Sequence, residues 1–374
     1  MKLRSLFCAA ALATATAPVL SQEILIGVPI SQTGIYAFVG NAAIRGMQQA
    51  VDEINTGNEL GGGRKIKLLI ADDGSSNTQV VTLATRMATV DNVLAIAGPA
   101  GSAPVLAVSP AINQVQTPML GIAVTPAVNK AGQWSNRVLN SPTTLMTVLA
   151  KYTLDNLKPK TVMTIAARDN DGAAAQSKVV RAYMEGKVTL MPEESALMAD
   201  TDFSVLATKI ASLKPDVVVI TLNDAVAANI ILQAKQAGAA SNLKFVVNNA
   251  AASASFLRIG GRAVEGVVIG TDALPEVRTD PLARNFVANF QKRYNAIPDQ
   301  WNAVGYTIAR MYGHAITSVK GPLTRESLLN AVVNIRNFPV VLGSGKGNFS
   351  FDKDREPVYE PIIITVKDGK FVPL

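Results

Sequence analysis

The sequence predicts an α/β protein of two lobes, each built on a parallel sheet with helices on both faces. Short apolar runs typical of strands alternate with segments of helical period over residues 23–342, and this alternation favours βαβ units. The chain has 374 residues, of which 48% are hydrophobic, and this length suits two lobes of ordinary domain size.

The first residues have the layout of a secretory signal peptide. Two basic residues precede an apolar run over residues 6–12, which is too short to span a bilayer, and small residues follow it. Cleavage could follow Ala15 or Ser21, and we set the predicted signal peptide at residues 1–21. The only cysteine, Cys8, lies in the apolar run, so the exported chain must be stabilised by its core without disulfides.

Charge and hydropathy exclude two classes of protein. The formal net charge is +7, and without Lys2 and Arg4 the chain has 33 basic against 28 acidic residues, or +5. The basic residues are scattered and aromatics make up only 5%, whereas a nucleic-acid reader would concentrate both along one stripe. No other apolar stretch reaches the roughly 18 residues that a membrane span requires. We therefore expect no nucleic-acid partner and no stable membrane insertion.

The elements follow in order along the chain. Eight apolar runs predict strands, at residues 24–30, 66–71, 93–97, 119–122, 161–166, 216–221, 245–248 and 264–270. Six segments between or after them predict helices, at residues 78–89, 102–115, 143–156, 173–184, 225–237 and 282–294. Three more helices are predicted by apolar stripes at helical spacing. The first stripe is Ile44, Met47, Val51 and Ile54; the second is Phe203, Leu206, Ile210 and Leu213; the third is Trp301, Val304, Ile308, Met311 and Ala315.

Breaks in this pattern suggest where the chain passes between lobes. One is the turn at residues 140–142, a second is the segment 271–281, rich in Asp, Pro and charge, and from residue 346 the pattern changes to short strands and turns. We predict that lobe 1 comprises residues 22–140 and 272–345, and lobe 2 residues 141–271 and 346–374. Several crossings between two lobes make a hinge rather than a loose tether.

Signals for catalysis, metals and cofactors are weak. The single histidine, His314, lies within a helix and has no nucleophile motif to accompany it. Residues 342–348 lack the spacing of a phosphate-binding loop, and Gly61–Gly63 reads as a tight turn. Residues 169–172 contain part of a calcium-loop pattern but lack its first and last acidic ligands. We expect no enzyme activity, no cofactor and no metal.

Three loops of the first lobe suit the binding of an anion. In open α/β sheets, ligands lie beyond the carboxyl ends of the strands, where helix N-termini favour negative charge. Strands are followed by such loops at residues 31–40, 98–102 and 123–126, and Ser102 opens a helix. Ser102 could be a helix N-cap, a role that is compatible with gripping a carboxylate.

Several segments, taken in order, resemble one known family. They are IGVPISQTGIYAFVG, AIRGMQQAVDEIN, IKLLIADD, VLAIAGPAGS, PMLGIAVT, DTDFSVLATKI, KPDVVVI and ILQAKQAG. They resemble the leucine/isoleucine/valine-binding proteins of bacterial ABC importers, which have the type I periplasmic binding-protein fold. The resemblance implies two Rossmann-like lobes with a multi-crossing hinge, a periplasmic location, a small-molecule ligand and permease subunits as partners. We also expect a monomer.

The resemblance carries over to site residues of the first lobe. Ser102 and Thr125 would hold the ligand's carboxylate, and the carbonyl of Ala123 would accept from its ammonium group. Trp301 falls on an aromatic wall of the family.

A further aromatic, from the first loop, is less clearly placed. The family position itself falls on Val39, with Tyr36 or Phe38 as substitutes. Trp301 and Tyr36 fit a plain role in the core equally well.

The second lobe departs from the family pattern. Asp171 stands where the family has a tyrosine before a glycine, Asn223 occupies a second tyrosine position, and Asn249 replaces the glutamate that pairs with the ammonium. Loss of that carboxylate removes a charge-assisted hydrogen bond of roughly 1.5–3 kcal/mol. Either Asp171 replaces it from another direction, or the ligand has no ammonium group.

The sequence thus predicts the periplasmic binding component of an ABC importer, which binds a branched-chain or related amino acid by hinge closure. One alternative is a binder of a non-amino organic acid such as an aromatic carboxylate. Another is a ligand-sensing subunit that reports to a separate receptor. A secreted hydrolase would have to rely on His314 alone.

Overall fold

The computed structural model describes residues 23–345 and 348–374. Three parts of the sequence-based prediction lie outside the described residues. They are the predicted signal peptide, Gln22 at the start of predicted lobe 1, and Lys346 at the last predicted lobe boundary. The strands are β1 (Glu23–Pro29), β2 (Lys65–Ala71), β3 (Ala95–Ala100), β4 (Met119–Ile122), β5 (Ser135–Arg137), β6 (Thr161–Ala167), β7 (Thr189–Leu190), β8 (Glu194–Ala196), β9 (Val217–Thr221), β10 (Lys244–Val247), β11 (Val268–Thr271), β12 (Ser350–Phe351), β13 (Pro357–Val358), β14 (Ile362–Lys367) and β15 (Lys370–Pro373).

The α-helices alternate with these strands. They are α1 (Ala37–Thr56), α2 (Asn77–Thr89), α3 (Ser102–Gln114), α4 (Ala127–Lys130), α5 (Pro142–Tyr152), α6 (Asp171–Met184), α7 (Ser204–Leu213), α8 (Asp224–Gln236), α9 (Ala254–Gly260), α10 (Pro281–Tyr294), α11 (Gln300–Ser318) and α12 (Arg325–Val333). One turn of π-helix, Thr153–Leu157, continues α5.

Two parallel sheets form the framework, as the sequence predicts. The first sheet has the order β2-β1-β3-β4-β5, and all of its strands are parallel. The second sheet has the order β15-β14-β11-β10-β9-β6-β7, with β8 also paired to β6. The strands β14 and β15 of this sheet come from the C-terminal segment and pair antiparallel. Thr365 of β14 lies opposite Val268 of β11.

Helix α11 returns the chain to the first sheet by packing closely on α1. A side chain on Gly46 would meet the carbonyl oxygen of Asn302 at 1.9 Å, and one on Gly305 would meet that of Ala43 at 2.0 Å. Two glycines thus allow the helix backbones to touch. The apolar stripe predicted from Trp301 to Ala315 is buried in this contact.

Two local expectations were wrong. Ser102 is the first residue of α3 and not its N-cap, which is Gly101. Gly101 has a φ of 98°, and a Cβ on Gly101 would lie 2.7 Å from the Tyr36 ring. The strand predicted from residue 264 begins at Val268, because Gly261–Val264 forms a 3₁₀-helix whose valine is buried. The structure also contains α12, which the sequence reading missed.

Candidate functional site

A cavity lies at the carboxyl ends of both sheets, and its empty space, counted together with the open solvent at its mouth, is about 510 Å³. On the first-sheet side it is lined by residues that follow β3 and β4, among them Ser102 and Ala123. On the other side the lining includes Asn170 after β6, Asn223 after β9 and Asn248 after β10. These are the positions where ligands of open α/β sheets collect.

The start of α3 forms one wall of this cavity. Ser102 is buried, and its Oγ accepts a hydrogen bond of 3.4 Å from the N–H of Val124. The first turn of a helix carries N–H groups with no intrahelical partner, and the helix dipole favours negative charge there. This wall can therefore bind a carboxylate through the hydroxyl and the backbone together.

The opposite wall touches the first one. Asn170 caps α6 by accepting from Ala173 N at 2.9 Å, and its Nδ2 donates to Tyr36 Oη at 2.6 Å. Burial raises the pKa of the Tyr36 hydroxyl to about 12, so that it stays protonated. A Cβ on Gly172 would lie 2.4 Å from Ser102 Oγ. The starts of α3 and α6 thus face each other at contact distance.

Aromatic and aliphatic groups cover another part of the cavity. Phe38 and Trp301 pack edge to face, with ring centroids 5.9 Å apart and an interplanar angle of 85°. Asp299 positions Trp301 by capping α11, since its Oδ1 accepts from Trp301 N at 2.9 Å. Burial raises the pKa of Asp299 to about 6. The ring pair gives the ligand an apolar surface to lie against.

Side-chain amides connect the cavity to the predicted hinge. Asn248 Nδ2 donates to Gln176 Oε1 at 2.6 Å, Gln176 Nε2 donates to Asn249 Oδ1 at 3.1 Å, and Asn249 Nδ2 donates to Asp272 Oδ2 at 2.7 Å. Three of these four residues line the cavity, whereas Asp272 lies behind them and is fully buried. Among the nineteen described lining residues none is Asp, Glu, Lys, Arg or His.

Six of the eight site residues predicted from sequence line this cavity: Tyr36, Ser102, Ala123, Asn223, Asn249 and Trp301. Thr125 is buried but is not part of the lining, and its Oγ1 accepts from Ala127 N at 3.4 Å.

Asp171, predicted as a replacement for the family glutamate, is the first residue of α6. It is exposed and does not line the cavity either, because its two neighbours, the cap Asn170 and Gly172, are the residues turned toward the other wall.

Asn170, Gln176 and Asn248 line the cavity and were missed. Asn248 is the last residue of a predicted strand and Asn170 comes four residues after the end of another, and these positions at strand ends could have indicated them. Gln176 lies inside α6, and no local signal marks it.

Other motifs lie elsewhere. His314 is exposed, stacks on Phe338 with ring centroids 4.7 Å apart, and is not in the cavity lining. The Asp169 carboxylate accepts from Met198 N at 3.1 Å. Within residues 23–345 and 348–374, no cluster of His, Cys, Asp and Glu side chains is arranged to hold a metal ion. None of the helices in these ranges is long and apolar enough to cross a membrane.

Comparisons with known proteins agree with this geometry. The family described as periplasmic binding protein matches the chain over residues 23–370. The Leu/Ile/Val-binding protein BraC3 of Rhizobium johnstonii is 31% identical over 222 residues, which are 58% of this chain and 59% of that protein. The matched stretch is therefore less than two thirds of that relative's length.

Solved structures show the same architecture. The leucine-binding protein LivK of Thermotoga maritima has a TM-score of 0.86 at 25% identity, over 94% of this chain and 97% of that one. A solute-binding protein of an R. palustris ABC transporter, in complex with benzoate, has a TM-score of 0.84 at 20% identity, over 94% and 95% of the two chains. The predicted two-lobed type I fold is thus confirmed. The chain belongs to the periplasmic binding protein family, as its resemblance to the leucine/isoleucine/valine-binding proteins predicted.

Proposed function

We propose that this chain is the periplasmic substrate-binding component of an ABC importer of the branched-chain amino acid type. It binds a small carboxylate-bearing ligand between its two lobes and closes around it by rotation at a hinge. One observation carries the proposal: the cavity lies between the carboxyl ends of both sheets, with the Ser102 hydroxyl and the first turn of α3 in its wall. Such a wall favours an anion.

The proposed lobes are residues 22–140 with 272–345, and residues 141–271 with 346–374. Hydrogen bonds at the proposed crossings support this division. Asn140 Nδ2 donates to Asp272 Oδ1 at 3.0 Å, and Gly343 N donates to the carbonyl oxygen of Asp272 at 2.7 Å. Three crossings that meet at one residue can act as a single hinge.

The carboxylate of the proposed ligand lies against Ser102, and its apolar part lies against Phe38 and Trp301. A branched-chain or related amino acid is the first candidate, with the Ala123 carbonyl and the amide oxygens of the second lobe receiving its ammonium group. The second candidate is a non-amino organic acid such as an aromatic carboxylate. It is favoured by the lack of an acidic side chain among the described lining residues.

A thermal-shift screen of residues 22–374 tests this proposal. The panel contains leucine, isoleucine, valine, benzoate, 4-hydroxybenzoate, short dicarboxylates and neutral amides. A ligand at about 100 times its Kd stabilises the folded state by about 2.7 kcal/mol, which raises Tm by a few degrees. We expect a rise with at least one monocarboxylate and none with the amides. A panel in which no carboxylate raises Tm would contradict the proposal.

Location, partners and lack of turnover belong to the same proposal. We place the protein in the periplasm as a monomer whose closed form docks on permease subunits. The rival is a ligand-sensing subunit for a separate receptor, and genes for permeases and ATPases next to this one would favour transport. Recovery of the bound ligand unchanged after long incubation, checked by mass spectrometry, tests the absence of enzymatic activity.

A further inference from the structure

Two polar atoms on lining side chains have no hydrogen-bond partner among the described residues. They are Trp301 Nε1, a donor, and Asn248 Oδ1, an acceptor, and both residues are only 4% exposed. Buried polar groups are almost always paired, because an unpaired one loses its bond to water without replacement. The two atoms belong to opposite walls, since Trp301 lies on α11 and Asn248 follows β10.

The orientation of the Asn248 amide follows from the chain of amides behind it. An amide's oxygen and nitrogen must be assigned from the bonds they make. An ionised carboxylate only accepts, so Asn249 must turn its Nδ2 to Asp272 and its Oδ1 to Gln176. Gln176 must then donate to Asn249 and accept from Asn248. Only the oxygen of Asn248, a lining residue, is left without a partner among the described residues.

Donors from several directions converge on the carboxylate that begins this chain. Besides Asn249, Asp272 accepts from Tyr359 Oη at 2.7 Å, from Asn140 Nδ2 at 3.0 Å and from Asn140 N at 3.2 Å. Burial raises the pKa of Asp272 and outweighs these hydrogen bonds, which lower it; the buried Arg137 is near enough to feel the charge of the carboxylate. The backbone N–H of Asn140 can only donate, and with the amide nitrogens of Asn140 and Asn249 turned to Asp272 these contacts suit its ionised form. A proton on Oδ2 would break the bond from Asn249.

We propose that Asp272, acting through Asn249 and Gln176, makes Asn248 Oδ1 a polarised acceptor for an N–H or O–H group of the ligand. Hydrogen bonds in a chain polarise one another, so the carboxylate's charge strengthens the acceptor at the far end. The inference rests on the proposed function and narrows it: the ligand is a carboxylate that also carries an amino or hydroxyl group. Trp301 Nε1 donates to an acceptor on the same ligand.

Calorimetric titration of two matched pairs tests this ligand class. Leucine is compared with 4-methylpentanoate, which lacks the amine, and 4-hydroxybenzoate with benzoate, which lacks the hydroxyl. We expect the donor-bearing acid of one pair to bind about 10-fold tighter or more, the effect of leaving a buried acceptor unpaired. Preference in the first pair identifies an ammonium donor, and preference in the second a hydroxyl donor.

The outcomes separate this inference from the proposed function. If acids bind but neither pair shows a preference, the donor inference is wrong while carboxylate binding stands. If no acid of any kind binds, the proposed function fails and the inference fails with it.

Two variants test the acceptor and the chain behind it. Asn248→Leu removes the acceptor, and Gln176→Met interrupts the chain while leaving Asn248 in place. We expect the affinity ratio within the preferred pair to fall most in Asn248→Leu, to about 1 for the hydroxyl pair and to a smaller residual preference for the ammonium pair, which the Ala123 carbonyl also receives. In Gln176→Met the ratio should fall several-fold. The ratio is an internal control, because general destabilisation affects both acids alike.

The opposite results are equally specific. An unchanged affinity ratio in Asn248→Leu would show that Asn248 is not the acceptor for the ligand. An unchanged ratio in Gln176→Met would show that Asp272 does not act on it through Gln176. If Asn248→Leu fails to fold by circular dichroism, Asn248→Ala serves the same purpose with less bulk, and the same two results decide the question.

Discussion

Ser102 is the side chain that contributes most to the proposed binding of a carboxylate. Ser102→Ala removes one hydrogen bond to a charged group, and we expect Kd to rise about 10-fold or more. Ser109→Ala is a matched control, because Ser109 is buried on the same helix but bonds to the carbonyl of Val105 instead of lining the cavity. Calorimetry with the ligand from the screen measures both. Equal affinities in the two variants would contradict the docking position.

Glu276 makes stability depend on pH. Burial, with Asp299 nearby, raises the pKa of its carboxyl to about 7 from an ordinary value of 4.5. The folded state therefore holds this proton more tightly than the unfolded chain does, so its stabilising effect is present at low pH and is lost as pH rises toward 7. We expect Tm to fall between pH 5 and pH 8.

The variant Glu276→Gln isolates this group. Its Tm should fall less over the same range, whereas the exposed Glu185→Gln should follow the unaltered protein. Asp299, whose pKa is raised to about 6, also makes Tm fall with rising pH, so part of the fall remains in Glu276→Gln. If Tm fell equally with pH in all three proteins, protonation of Glu276 would not be the cause of the pH dependence.

Sequence reasoning located some cavity residues because strand ends determine where they lie. Ser102 and Ala123 follow strands that the apolar pattern reveals, whereas Asn223 and Asn249 were indicated by the resemblance to the family. Asp171 was indicated by the same resemblance, as the residue before a glycine, whereas the structure turns the preceding Asn170 toward the cavity as the cap of α6; which side chain caps a helix is a tertiary choice. Gln176 lies one turn inside a helix, and only packing decides that it faces the cavity.

At the scale of elements, the contact between the starts of α3 and α6 depends on a glycine. A Cβ at position 172 would lie 2.4 Å from Ser102 Oγ and 3.1 Å from Val124 Cγ2. Gly172→Ala should therefore hold the cleft partly open and weaken the proposed ligand about 10-fold, in line with the usual cost of overpacking.

The fold of the Gly172→Ala variant should be intact, because alanine is the better helix former. Gly57→Ala is a suitable control, since Gly57 ends α1 in a right-handed conformation and is not part of the cavity lining. X-ray scattering with and without ligand measures closure directly. Full compaction of Gly172→Ala on ligand addition would refute the steric argument.

Most strands of four or more residues were predictable, whereas shorter strands and some short helices were not. The paired strands β1, β2, β4 and β6 begin and end within one residue of their apolar runs. Strands β7 and β8 have two and three residues, too few to show a period. Helix α12 was missed although Thr324 and Ser327 form a capping box, because it has only nine residues.

At the scale of the whole molecule, alternation of strands and helices was enough to predict two parallel sheets. It could not predict what fills the space between them. The amide chain joins Asn248 to Asp272 through side chains far apart in sequence, and single residues of this kind leave no periodic signal. The sequence departures at Asn249 and Asp171 indicated that the second lobe differs, but only the geometry reveals the acceptor.

The C-terminal segment is bound to the first sheet by an ion pair between a buried arginine and a partly exposed glutamate. The Arg137 guanidinium is 0% exposed and donates to the Glu356 carboxylate and to the carbonyl of Leu139. Burial lowers the pKa of Arg137 to about 10, a sign of how much its charge costs in this position. Removing the partner of a buried charge costs about 3–5 kcal/mol, and the partial exposure of Glu356 reduces this to about 2 kcal/mol.

We therefore expect Glu356→Gln to lower the free energy of unfolding by about 2 kcal/mol, measured by urea denaturation. The exposed Glu360→Gln is the control and should change it by less than about 0.5 kcal/mol. The loss should persist at high salt, since a buried pair is screened far less than a surface one. A loss that disappears in 1 M salt would mean that the pair acts as a surface ion pair and does not hold the C-terminal segment in place.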